Sequence, residues 1–86
     1  MTYEQALRQA IADNPIQGRR AAKLLKLLNA RASKRRTRQL ARMERHTAAL
    51  LGLPEAFPID WSRIDWSKWL PTIIGMLLAL LPFILA

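Results

Sequence analysis

From Trp69 to Ala86 the chain carries no charge, whereas the stretch from Arg19 to Arg45 holds eleven Lys/Arg and one acid, Glu44. An apolar run of that length has to be covered by the rest of the chain, by partner subunits or by lipid. A cationic segment of that density is a local field that attracts anions, rather than a diffuse aid to solubility. With 86 residues the chain forms one small domain at most, and such domains bury only a modest share of their surface. Cysteine is absent, which excludes a disulfide framework and a thiolate metal site. A membrane or a larger assembly is therefore the expected source of extra stability.

The local pattern predicts an all-α chain. Thr2 and Gln5 have the spacing of a capping box. Tyr3, Ala6, Leu7, Ala10 and Ile11 then repeat on one helical face, until Asn14-Pro15 ends the helix. Residues 2–13 are amphipathic rather than a cationic start followed by an apolar run, so no secretory signal is expected there. From Arg19 to Leu51 there is no proline or glycine, and Ala, Leu, Arg and Lys favour helix. In residues 20–28 the apolar side is Ala21, Leu24, Leu25 and Leu28. In residues 31–45 a row of Arg31, Arg35, Arg38, Arg42 and Arg45 recurs at helical spacing and fills a stripe roughly 80° wide. Leu40, Met43, Thr47 and Leu50 form a second stripe on the other side. A continuous helix would set Leu24 and Leu28 above the arginines, so a break is expected near Ala30–Ser33. Gly52 suits the position after the second helix.

Leu53–Pro58 reads as an extended linker. Ile59-Asp60-Trp61-Ser62-Arg63 and Ile64-Asp65-Trp66-Ser67-Lys68 form a small repeat, too short for a repeat architecture. Its acids are spaced for weak ion pairs, Asp60 with Arg63 and Asp65 with Lys68. No paired base or nucleophile accompanies them, so no catalytic role is expected. A last helix is expected from Ser67, with Pro71 in its first turn and Pro82 interrupting its far end. The division expected is a basic helical region (1–52), a linker (53–66) and a hydrophobic segment (67–86).

Each segment implies a partner. Eighteen uncharged residues at ~1.5 Å each give about 27 Å, close to a hydrocarbon core of ~30 Å. A transmembrane helix is expected, with Ile73, Ile74, Leu77, Leu78 and Leu81 in the membrane core. Trp61, Trp66, Trp69 and Lys68 would mark its interface, because indole and a long cationic stem both suit the headgroup level. The competing reading is a core helix in a soluble assembly. The arginine stripe suits phosphate, which guanidinium binds bidentately. Nucleic-acid phosphates, anionic headgroups and an acidic protein all fit, and a merely solvated face would mix charge signs. No base-reading signature is present, so nucleic-acid binding would ignore sequence. Five arginines on phosphates give a log–log salt slope of roughly −4 to −5. His46 stands alone with no co-ligands in reach by spacing, and the three glycines form no phosphate loop. No metal, cofactor or enzyme activity is expected.

The layout resembles that of small membrane proteins from viruses with an internal lipid bilayer. That resemblance implies a non-enzymatic structural or accessory protein, anchored in a host inner membrane or a virion's internal membrane. Its basic region would lie on the cytoplasmic or interior side, with a lipid bilayer and assembly subunits as partners. One alternative is a membrane-perturbing protein, whose layout is similar to that of short phage lysis proteins. A second is a soluble nucleic-acid-associated structural protein whose apolar tail is buried in an oligomer.

Overall fold

The computed structural model describes residues 1–15, 18–53 and 59–85, with side chains as far as Leu80. Among the described residues four α-helices follow one another: α1 (Tyr3–Asp13), α2 (Gly18–Leu28), α3 (Lys34–Leu50) and α4 (Trp66–Leu85), with a 3-10 turn at Trp61–Arg63. Among the described residues there is no strand.

Local chemistry sets most of the ends. Thr2 Oγ1 accepts from Gln5 N at 3.2 Å and Gln5 Oε1 accepts from Thr2 N at 3.0 Å, which closes the capping box at the start of α1. The expected break is present: α2 stops at Leu28, and Ser33 caps α3 by accepting from Arg36 N at 3.1 Å. At the other end of α3, Gly52 N donates to Ala49 O at 3.1 Å and Leu53 N to Ala48 O at 2.9 Å. That is a Schellman closure, and it needs the left-handed φ of +69° that Gly52 adopts. The final helix begins one residue before Ser67. Asp65, not Ser67, supplies the cap, accepting from Lys68 N at 3.4 Å and from Ser67 Oγ at 2.8 Å. Asp60 does the same for the 3-10 turn through Ser62 N at 3.1 Å. The repeated Asp-Trp-Ser unit is thus a capping unit used twice. Asp60 also pairs with Arg63 at 3.1 Å, whereas Lys68 turns over the Trp69 ring, 5.6 Å from its centroid.

The helices meet around α4, which packs on α1, α2 and α3. Leu70, Ile73, Ile74 and Leu77 are wholly buried on its inner side, at the i, i+3, i+4, i+7 positions of one face. They close over Leu7 and Ile11 of α1, Leu24 and Leu28 of α2 and Met43 of α3, all in the same core. Pro71, Thr72, Gly75 and Ala79 face outward. Among the described residues no helix is long and apolar enough to cross a membrane. Of the residues expected in a membrane core, Ile73, Ile74 and Leu77 lie in the chain's own core and Leu78 is half-buried. Leu81 lies outside the described side chains. The physical reason is packing, because these residues of α4 roof the apolar faces of α1, α2 and α3. The backbone of α4 runs past Pro82 to Leu85 rather than stopping at the proline. Of the expected linker, residues 54–58 lie outside the described residues.

Candidate anion-binding face

The inward side of α3 is Gln39, Met43, Thr47 and Ala48. Leu40 is half-buried and Leu50 exposed, so only the middle of the expected apolar stripe is used. Opposite that side, Arg35, Arg38, Arg42 and Arg45 all stand exposed. At ~1.5 Å per residue they run along about 15 Å of helix. With Gln39 and Ala41 they line a shallow depression of about 370 Å³. Arg31 is exposed but precedes α3, in the turn between α2 and α3. The expected five-residue row is therefore four arginines on one helix plus one at the corner, where Lys34 adds a further exposed charge.

The acids are engaged elsewhere. Glu44 lies on α3, yet its Oε1 accepts from Trp61 Nε1 at 3.1 Å. Asp13 accepts from Gln9 Nε2 at 3.0 Å. Glu4 is held by Arg8 at 3.1 Å and by Arg36 at 2.5 Å. Partial burial pushes the Glu4 carboxyl up, but hydrogen bonds and charge from Arg36 and Arg8 outweigh it and hold the group below the usual range. Hydrogen bonds from Ser62, with the Arg63 charge beside them, likewise lower Asp60. Among the described residues no carboxylate forms an ion pair with Arg31, Lys34, Arg38, Arg42 or Arg45.

Arg36 and Arg8 have a different task, which sequence reasoning missed. Arg36 donates to Leu27 O at 3.3 Å and to Leu28 O at 2.5 Å. Arg8 donates to Leu28 O as well, and to Asn29 Oδ1 at 2.6 Å. Two guanidinium groups thus cap the last carbonyls of α2, where positive charge is also favoured by the helix dipole. The available signal was position: Arg36 sits off the stripe, roughly 160° around the helix from Arg38.

The expected interface tryptophans are brought together with α1. Trp61 is buried, edge-on to Tyr3 at 4.9 Å between centroids. Trp66 lies 6.3 Å from Trp61 and 6.4 Å from Tyr3, and its Nε1 donates to Trp61 O at 2.8 Å. Trp69 is half-buried and Lys68 exposed. The Tyr3 hydroxyl shares a 2.9 Å hydrogen bond with Thr47 Oγ1, and burial pushes its pKa up to about 12. Among the described residues no buried side-chain nitrogen or oxygen lacks a partner, and no group of three or more His, Cys, Asp or Glu is placed to hold a metal.

No protein-family model matches this chain, and neither a curated protein nor a solved structure does.

Proposed function

We propose that this protein is a non-enzymatic binding module, a structural or accessory part of a larger assembly, that holds nucleic-acid phosphates on the outer face of α3 without reading sequence. One observation carries this reading: Arg35, Arg38, Arg42 and Arg45 line one exposed depression, and among the described residues no carboxylate forms an ion pair with Arg38, Arg42 or Arg45. Guanidinium binds phosphate oxygens bidentately, and a row of such groups suits a polymer of phosphates. Among the described residues the exposed large apolar side chains are Met1 and Leu50. Leu50 sits at the far end of α3 and Met1 outside it. A helix that lies in a lipid surface needs an apolar flank beside its cations, so headgroups fit this face less well than nucleic acid.

Salt dependence tests the reading. Four arginines on phosphates give a log–log slope of roughly −3 to −4, from about −0.9 per phosphate. Arg38→Gln with Arg42→Gln should flatten it by about 2 and leave sequence preference absent. No binding to duplex DNA at low salt, or an unchanged slope in the double variant, refutes the assignment.

Membrane attachment through residues 67–86 is a second reading, favoured by the absence of charge beyond Lys68. It requires α4 to leave the bundle and uncover Leu7, Leu24, Leu28 and Met43. At about 1.5–3 kcal/mol per buried side chain, that exposure costs roughly 6–12 kcal/mol. This is comparable with the whole stability of a small domain. Attachment and the packed bundle are therefore alternatives rather than simultaneous states. If the inserted form perturbs membranes, inducing the chain in bacteria lowers the optical density of the culture.

A further inference from the structure

We infer that the outer face of α2 is a second phosphate-binding surface, so that one molecule bridges two duplex segments. This rests on the reading of α3 just given. On α2 the residues turned inward are Ala21, Leu24, Leu27 and Leu28. The outward residues include Arg19, Arg20, Lys23 and Lys26, all exposed. At ~100° per residue these four cations occupy an arc of roughly 120°. Among the described residues no carboxylate forms an ion pair with any of them. A merely solvated face would carry acids among its bases, and α2 contains none.

The placement of the two cationic faces makes them separate. Both α2 and α3 pack on α4, and they meet one another chiefly at the corner where Arg36 reaches Leu27 and Leu28. Each helix turns its buried side to the core and its cations away from it, so the faces look outward from different flanks of α4. The whole molecule measures 31 × 29 × 21 Å. A duplex has a persistence length of about 50 nm, so wrapping one segment around a body this small is costly. A second segment covers the second face instead. Duplex is the better fit than single strands. Single-strand grooves offer aromatic platforms to the bases, but here Tyr3, Trp61 and Trp66 pack against one another, edge-on or tilted.

Two short duplexes of unrelated sequence, one with a donor dye and one with an acceptor, test the inference when mixed with the full chain. Energy transfer should rise as protein is added and fall again in excess protein, when each duplex has its own molecules. Lys23→Gln with Lys26→Gln should still retard a single duplex and lose the transfer. Arg63→Gln with Lys68→Gln removes the same charge away from both faces and should keep it. Wild-type protein that binds a duplex yet never brings two together overturns the bridging role alone. Equal transfer by the two double variants overturns the assignment to α2. Failure of wild type to bind any duplex removes the α3 reading and this one with it.

Discussion

Tyr3 reports on the fold from within, because it is the only tyrosine in the chain. Burial raises its pKa to about 12, against about 10 in an unfolded chain. The folded form therefore keeps a proton that the unfolded form gives up. Its stabilising contribution is complete below pH 10 and is lost as pH rises through about 12, a loss of up to roughly 3 kcal/mol. Thermal melts between these limits should show that fall, with tyrosinate absorbance appearing only as the chain unfolds. Tyr3→Phe should abolish the alkaline dependence and cost about 0.5–1 kcal/mol at neutral pH. The cost is small because Thr47 Oγ1 still donates to Met43 O at 2.9 Å. Glu4 gives the opposite sign. Its pKa is lowered in the fold, so its contribution is present above the ordinary carboxylate range and is lost as pH falls through the lowered value. Glu4→Gln leaves the guanidiniums of Arg8 and Arg36 facing each other at Leu28. It should cost about 1–2 kcal/mol at neutral pH, with the difference from wild type vanishing in acid denaturation series.

For the helices, α4 decides between protein and lipid as the cover of the apolar run. Leu77 is wholly buried in the bundle while Ala79 faces outward. Leu77→Ala should lower unfolding stability by about 2–5 kcal/mol in buffer without lipid. Ala79→Lys should change it by no more than about 0.5 kcal/mol. In a bilayer the ranking reverses, since a lysine at mid-helix costs about 2.5–3.5 kcal/mol of insertion. Carbonate extraction of both variants from membranes separates the cases. This is also where the sequence stops being legible. The capping box at Thr2, the break before Ser33 and the Gly52 closure were readable because each is decided within a few residues. The cover of Ile73, Ile74 and Leu77 was not, since an apolar stripe looks the same whether lipid or another helix meets it. Trp61 and Trp66 were ambiguous for the same reason, as an indole half in an apolar phase suits a headgroup layer and an aromatic cluster equally. The arginine row was legible as a row, because helical spacing alone sets it. The removal of Arg36 from the cationic surface was not, because its partner Glu4 lies 32 residues away.

Across the whole molecule, the first turn of α1 gathers contacts from segments far along the chain. Tyr3 meets Thr47, Trp61 and Trp66, while Glu4 meets Arg36. Synthesis runs at about 5–20 residues per second, so the residues of α1 wait several seconds for Trp66 to emerge. During that interval α1 can meet α2, but the apolar side that Leu70, Ile73, Ile74 and Leu77 cover has nothing over it. The core is thus expected to close late, when α4 arrives to cover α1, α2 and α3. Nascent chains arrested before Ile59 should be digested by protease as readily as an unfolded peptide, and chains released through Ala86 should resist. Any cellular factor that shields exposed apolar helices meets this protein during that wait, before its arginines have a rigid frame on which to line up.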